Sequence, residues 1–409
     1  MEKTLVNPGF SQRNAAIDIL RALTMFLMIF VNDLWTIKDY PGWLGHAAGN
    51  EDFLGLADTV FPCFLFVVGM SIPYAIEKRF HSGKPGVGTV AHILMRTLAL
   101  LIMGAFTVNT EAGISPETGF SMPAFRICMV VAFFLVWNVY PHTENHARKN
   151  LYRMAQLAGL AVMVYLAIIF RDGNGGVFRA RWWGILGLIG WSYLICAFTC
   201  LFARSRIKYL LPAWIILIVL CMLKSSTRWG EPLLSLPRGN FFDAMLDIFH
   251  IGNGASAALT MGGVLLSVVH VNCFSTGKRK LYGALFAIFI VLLFAGLASH
   301  QLWITSKIQA TPPWVFYCSA VSVGAYALLT WLVRLGKSHW FNSISAAGTA
   351  TLTCYLMPYI AYSLSALFHI RLPECMHAGI PGILSCIGFS LLIIGVTWLI
   401  GKIHIQLKI

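Results

Sequence analysis

Charged side chains are scarce in this sequence. Asp, Glu, Lys and Arg make up only 11% of the 409 residues, whereas a typical soluble globular domain contains about 25%. Hydrophobic residues account for 58%. This composition excludes a soluble protein, and the shortage of polar or repetitive sequence also excludes a disordered chain, a collagen and a coiled coil. The sequence therefore predicts an integral membrane protein.

A cysteine framework is also missing, although the chain has ten cysteines. All except Cys375 lie inside apolar runs, where cysteine behaves as a small buried hydrophobic residue. Cys196 and Cys200 are four residues apart on one helix face, but no His or Asp neighbour completes a ligand set. No metal site is expected.

Acidic residues are the scarcer of the two charge types, with 16 Asp and Glu against 30 Lys and Arg. In a soluble domain the net charge of +14 would suggest nucleic-acid binding. In a membrane protein, basic residues collect in cytoplasmic loops and contact anionic lipid. Membrane lipid is therefore the expected partner of these charges, and no nucleic acid is expected.

Apolar segments long enough to cross a membrane recur along the whole chain. About 20 apolar residues span a hydrocarbon core of ~30 Å. The sequence therefore predicts an all-α polytopic membrane protein with a bundle of about 10–12 transmembrane helices, forming a single domain over residues 1–409. The seventh candidate is the weakest, because it is short and contains Pro212. The candidates are 16–35, 57–76, 92–109, 123–140, 154–170, 183–202, 209–223, 253–272, 281–299, 314–334, 348–368 and 380–401.

The charges of the connecting loops predict the orientation. If the N-terminus is inside, cytoplasmic loops and ends hold 18 Lys and Arg and outer loops hold nine, as cytoplasmic enrichment requires. Both termini are then cytoplasmic. The first apolar run carries Asp18 and Arg21 and has no small-residue cleavage site after it, so no cleavable signal peptide is expected. Together these features favour a bacterial inner membrane.

The first helical hairpin contains the densest set of polar residues. Ionisable groups inside spans are costly and mark candidate functional sites. Asn32 and Asp33 end the first span, His46 lies in the connecting loop, and Asp58 opens the second span. A helical hairpin brings these four residues towards one region. A histidine near carboxylates can act as a general base, because its ordinary pKa of about 6.5 suits proton removal near neutrality.

Asp18 and Arg21 lie three residues apart on one face of the first span, at its cytoplasmic end. This spacing allows the two side chains to pair. A structural ion pair that anchors the helix and a functional pair both remain open at this point.

The segments RNAAIDILRALTMFLMIFVNDLW and GHAAGNEDFLGLADTVFPCFLFVVGMSI, together with their spacing, resemble the heparan-α-glucosaminide N-acetyltransferase family of transmembrane acyltransferases. The match is strongest over 13–80. Three later segments are similar to the family more loosely: MPAFRICMVVAF, SKIQATPPWVFYCSA and AAGTATLTCYL. The family's signature residues in the first hairpin are Asp18, Arg21, Asn32, His46, Asp58, Phe61, Pro62, Phe64, Phe66, Gly69 and Ser71.

The resemblance implies a reaction and a set of roles. Acetyl-CoA would enter from the cytoplasm, and the amine of a terminal glucosamine would accept the acetyl group on the outer side. His46 would be the base, Asn32 the oxyanion donor, and Asp58 or Asp33 the group that orients the imidazole. Arg21, Arg96 and the cytoplasmic clusters near Arg79 or Lys280 would be the candidates to contact the CoA phosphates. Asn50, Arg126 and Lys307 would contact the acceptor. A homodimer is compatible with the sequence.

Some positions depart from the family pattern. Ser306 and Phe125 stand where the family usually has Asn and Gln, and Thr349 or Ala350 stands where it has Asn. Two alternative functions therefore stay open. One is an O-acyltransferase that modifies a cell-envelope glycan, and the other is a transporter of a sugar or lipid, in which intramembrane charges would be coupling sites.

Overall fold

The computed structural model describes residues 10, 14–81, 86–233, 246, 250–274 and 278–409. Over these residues the regular secondary structure is helical, with four isolated bridges as the only β pairing. This confirms the predicted all-α class. The basic residues Lys3, Arg13, Lys84 and Arg238, which entered the loop-charge comparison, lie outside the described residues.

Thirteen α-helices occur in the described part of the chain. They are α1 (Ala15–Asp33), α2 (Leu56–His81), α3 (Gly86–Glu111), α4 (Met122–Trp137), α5 (His146–Ile169), α6 (Gly184–Ala203), α7 (Ile207–Lys224), α8 (Ala255–Phe274), α9 (Lys278–His300), α10 (Pro312–Arg334), α11 (Ser345–Thr349), α12 (Thr351–Leu367) and α13 (Gly379–Lys402).

Ten helices of the described chain are long and apolar enough to cross a membrane, within the predicted range of 10–12. The segment that looked weakest, α7, is one of them, with 18 residues. Pro212 lies in the second turn of α7, and its missing N–H removes one hydrogen bond to the first turn. The seventh candidate is therefore long and apolar enough to be a full span, although it is the shortest of the ten.

Two of the predicted spans correspond to helices shorter than these ten, α4 with 16 residues and α12 with 17. At 1.5 Å per residue these helices are about 24–26 Å long, less than the ~30 Å hydrocarbon core. The eleventh predicted span is interrupted at Ala350, where φ is −118° and ψ is 44°. Thr349 and Thr351 flank the break, and each side-chain hydroxyl donates to a backbone carbonyl.

The described chain divides into two compact units. The first contains Met1–Thr24, Pro41–Thr97 and Ile189–Phe341, and the second contains Met25–Tyr40, Leu98–Leu188 and Asn342–Ile409. The prediction of a single domain over 1–409 is not tested by this division and stays a prediction.

In the first unit, α2 packs closely along α8 through small residues. A Cβ added to Gly69 would collide with the carbonyl oxygen of Thr260, and one added to Gly263 would collide with the carbonyl oxygen of Phe66. Small residues allow transmembrane helices to pack with their backbones in contact. This packing holds α2 in place, and the first turn of α2 carries Asp58.

The N-in orientation can be tested with a native thiol. Cys375 is the one exposed cysteine in the described chain and lies between α12 and α13, a connection predicted to face outward. A membrane-impermeant maleimide should label intact cells expressing the protein, and Cys375→Ser should abolish the labelling.

A cysteine on the opposite side provides the matched control. Glu144 is exposed in the connection between α4 and α5, which is predicted to be cytoplasmic. In the Cys375→Ser background, Glu144→Cys should react only after the membrane is permeabilised. The reverse pattern at the two positions would mean that the orientation is inverted.

Candidate active site

The loop that carries His46 lies against the N-terminus of α2, in the first unit. A 3₁₀ turn over Gly42–Leu44 precedes it. A Cβ at Gly55 would collide with the carbonyl oxygen of Gly45, the residue before His46. Gly55 is therefore needed for the close approach of the two backbone segments, and this approach brings the loop within reach of Asp58.

The Asp58 carboxylate is buried and accepts hydrogen bonds on both oxygens. Its Oδ2 accepts from the backbone N–H groups of Ala47, at 2.9 Å, and Gly55, at 3.3 Å. Its Oδ1 lies 2.8 Å from His46 Nδ1. Three donors thus fix the carboxylate, and the backbone bond to Ala47 positions the loop residue next to the histidine.

This arrangement assigns the protonation of the imidazole. An ionised carboxylate only accepts hydrogen bonds, so Nδ1 carries a hydrogen, and in the neutral imidazole Nε2 then has the free lone pair. The His46 side chain is 48% exposed, whereas that of Asp58 is 2% exposed. The histidine therefore has one nitrogen held by a buried carboxylate and a ring that an acceptor can reach, as a general base requires.

The first turn of α2 is also held from α10. The Trp314 indole N–H donates to the carbonyl of Asp58 at 2.9 Å, and Trp314 is buried at the start of α10. Because Asp58 is tied by both its backbone and its side chain, its position does not depend on the exposed loop alone.

Lys307 lies beside the histidine–aspartate pair. Its Nζ is 3.3 Å from His46 Nδ1 and 3.9 Å from Asp58 Oδ1. Burial lowers the pKa of Lys307, and the negative charge of Asp58 partly offsets this effect. The sequence assigned Lys307 to the acceptor, and the structure places its ammonium next to the predicted base.

A second contact holds the Lys307 loop to the His46 loop. Both Ser306 Oγ, at 3.1 Å, and Gln309 Nε2, at 2.7 Å, donate to the carbonyl of Gly49. Lys307 is between these two donors in sequence. The two loops therefore position each other.

Asp52 connects the His46 loop to two further segments. Its carboxylate lies 2.8 Å from His300 Nε2, 2.6 Å from Arg228 Nη2 and 2.8 Å from the backbone N–H of Thr305. Partial burial acts to raise the pKa of Asp52, but these hydrogen bonds outweigh it and lower the pKa to about 2. No sequence signal pointed to the pairing of Asp52 with His300, which is 248 residues away.

A polar cavity of about 750 Å³ adjoins these loops, in the first unit. Asn50, one of the residues assigned to the acceptor, lies in its wall, four residues after His46. Gln309 and Ala310, which follow Lys307 in sequence, also line the cavity.

Three other predicted residues belong to the second unit. Asn32 is exposed at the end of α1. Asp33 is buried and accepts a 2.6 Å hydrogen bond from the Tyr362 hydroxyl. Arg126 donates to the carbonyl of Thr110 at 3.2 Å. Of the two carboxylates proposed to orient the imidazole, Asp58 has that hydrogen bond, and Asp33 has a partner within its own unit.

The two arginines assigned to CoA are in the first unit. Arg21 Nη1 is 3.2 Å from Asp18 Oδ1, so the predicted pair forms, and Arg21 Nη2 donates to Ser71 Oγ at 2.5 Å. The Arg96 guanidinium stacks over the Tyr193 ring at 4.7 Å from its centroid, and its buried Nε lacks a hydrogen-bond partner among the described residues.

Comparisons with known proteins indicate a distant relationship to N-acetyltransferases. Residues 13–189, less than half of the chain, match a family described as a domain of unknown function (DUF5009). The chain is 29% identical to heparan-alpha-glucosaminide N-acetyltransferase of Mus musculus over 110 residues, and 30% identical to the Homo sapiens protein of that name over 108. The matches cover 26% and 25% of this chain and only 15% of each relative.

The Asp52 contacts predict a pH effect on the His46 loop. Because the pKa of Asp52 in the folded protein is about 2, below the ordinary 3.8, its stabilising effect is complete above about pH 4 and is lost towards pH 2. Hydrogen exchange over residues 45–55, corrected for intrinsic rates, should speed up between pH 5 and pH 3.

In Asp52→Asn the same amides should exchange faster already at pH 5, and their corrected rates should change little on acidification. Asp39→Asn, at an exposed position in the same connection, is the control and should behave like the unmodified protein. Equal pH responses in the Asp52 variant and the unmodified protein would contradict this account of the loop.

Proposed function

We propose that this chain is a membrane acetyltransferase that transfers the acetyl group of acetyl-CoA to the amine of a terminal glucosamine on the outer side of the membrane, with His46 as general base. The observation that carries the proposal is the hydrogen bond between His46 Nδ1 and the buried Asp58, which leaves Nε2 on a half-exposed ring. The similarity to two N-acetyltransferases supports the choice of reaction.

The chemistry requires a base at this position. The amine nitrogen attacks the thioester carbonyl, the N–C bond forms, and His46 Nε2 takes the proton that the nitrogen loses. The C–S bond then breaks, and the imidazolium returns the proton to the departing thiolate. Asn32, exposed at the end of α1, remains the proposed donor to the oxyanion.

Lys307 has a defined electrostatic role in this scheme. While His46 is neutral, the charge of the buried Asp58 needs a compensating cation, because an isolated buried carboxylate is costly. The Lys307 ammonium, 3.9 Å from Asp58, supplies it. When His46 takes the proton, its new positive charge forms next to the same carboxylate and is stabilised there.

An O-acyltransferase would use the same base with a hydroxyl acceptor, so the reaction products distinguish the two activities. With acetyl-CoA and either glucosamine or glucose, the purified protein should release thiol only with glucosamine. Substrate accumulation in vesicles without thiol release would instead support the transporter alternative.

The base can be tested by substitution. His46→Ala should lower kcat for acetyl transfer by a factor on the order of 10²–10⁴ and leave binding of acetyl-CoA nearly unchanged. Asp58→Asn should also lower kcat, because an amide cannot accept all three hydrogen bonds and leaves Lys307 uncompensated. His142→Ala, at an exposed loop histidine, is the matched control and should retain activity. Near-normal turnover of His46→Ala would rule out the proposed mechanism.

The donor site can be tested separately through affinity. We propose that Arg21 and Arg96 contact the CoA phosphates from the cytoplasmic side. Arg96→Gln should weaken acetyl-CoA binding roughly 10-fold, as the loss of a charge-assisted hydrogen bond does, and Arg21→Gln should act in the same direction. Arg153→Gln, at an exposed position of α5, is the control. If neither substitution changes the dissociation constant, CoA binds elsewhere.

A further inference from the structure

A cavity of about 480 Å³ lies at the connection between α6 and α7, in the first unit. This connection follows the sixth span and is therefore predicted to be cytoplasmic, in agreement with its basic residues. The cavity is lined by Thr199, Phe202, Ala203, Arg204, Arg206 and Tyr209. The proposed acetyl transfer uses none of these residues, so the cavity needs a separate explanation.

The turn between the two helices holds its arginines in place at a conformational cost. Arg204 and Ser205 have φ angles of 48° and 51°, in the left-handed region that residues other than glycine rarely adopt. The Ser205 N–H donates to the carbonyl of Cys200 at 3.2 Å. The Arg206 N–H donates to the carbonyl of Ala203 at 3.0 Å. These bonds fix the strained turn, and backbone strain of this kind is concentrated at functional sites.

The positive charges of this turn are not compensated within the hairpin. Among the described residues, the exposed side chains of Arg204 and Arg206 have no hydrogen bond or ion pair. The sequence contains no acidic residue between Asp172 and Glu231, a stretch that includes all of α6 and α7. The N-terminus of α7 adds a partial positive charge. A negatively charged ligand in the cavity would therefore be stabilised by both guanidinium groups.

The surface next to the cavity is apolar. Phe202 is 77% exposed and stacks on Phe198, with ring centroids 6.0 Å apart. On α7, Ile216 lies about two turns after Tyr209 on the same face and is 66% exposed. Cations at the helix ends and apolar side chains along the helices match a ligand that has a negative headgroup and acyl chains. Inorganic phosphate has no part that would cover the apolar surface.

We propose that this cavity is a specific site for the headgroup of an anionic phospholipid of the cytoplasmic leaflet. Arg204 and Arg206 donate to its phosphate, and its acyl chains lie along Phe202 and Ile216. Basic pockets between transmembrane helices on the cytoplasmic side bind such headgroups. The inference does not depend on acetyl transfer. It also differs from the diffuse attraction of basic loops for anionic lipid, because it assigns binding to one cavity and two residues.

Native mass spectrometry of the purified full chain in detergent tests the site, with phosphatidylglycerol as the probe. The double substitution Arg204→Gln and Arg206→Gln should raise the dissociation constant for phosphatidylglycerol roughly 10-fold. Phosphatidylcholine, whose headgroup has no net charge, should bind more weakly and respond little to the substitutions. The matched control is the double substitution Arg148→Gln and Arg153→Gln, which removes two exposed charges near the predicted cytoplasmic end of α5. This control should leave the affinity for phosphatidylglycerol nearly unchanged.

Competition separates a lipid from a free phosphate ligand. At the concentration of the lipid, neither inorganic phosphate nor acetyl-CoA should displace phosphatidylglycerol from the unmodified protein. Displacement by either compound, or equal losses of affinity in the two double variants, would overturn the inference. If the first double variant does not fold, Arg206→Gln alone provides the measurement, and an unchanged dissociation constant in that variant would overturn the inference as well.

Discussion

The first unit's candidate site depends on one buried carboxylate. A charge removed from water is stable only when hydrogen bonds and an opposite charge compensate it. Asp58 obtains these from two backbone N–H groups, the His46 imidazole and the nearby Lys307 ammonium. The hydrogen bonds to this carboxylate therefore position the loop and place a hydrogen on His46 Nδ1. Its charge also accounts for the nearby position of Lys307, which comes from a connection distant in sequence.

Further contacts between loops of the first unit form a second layer around this carboxylate. Asp52 joins the histidine loop to the turn carrying Arg228 and to His300 at the end of α9, and Gly49 accepts from two residues that flank Lys307. Two residues in these contacts, Arg228 and Gln309, also line the polar cavity. The candidate base and the cavity thus share one set of connections.

The sequence was sufficient for the features that are local. His46 and Asp58 are 12 residues apart in one hairpin, so their proximity followed from the helix–loop–helix pattern. The pattern did not decide whether Asp58 or Asp33 would bond to the histidine, because this depends on the close backbone contact of Gly45 with Gly55. Lys307 is 261 residues from His46, and His300 is 248 residues from Asp52. The hydrophobic periodicity of a sequence does not indicate which helix ends lie next to each other. The break at Ala350 was not visible either, since alanine is itself a strong helix former.

The paired donation of Ser306 and Gln309 to Gly49 has a consequence for how this sequence can change during evolution. Surface connections are usually where chains tolerate insertions and deletions. Here a single added residue between Ser306 and Gln309 would separate the two donors from their shared carbonyl and turn Lys307 away from His46. Length variation among descendants of this chain should therefore avoid the α9–α10 connection and collect in exposed connections such as 141–145, between α4 and α5.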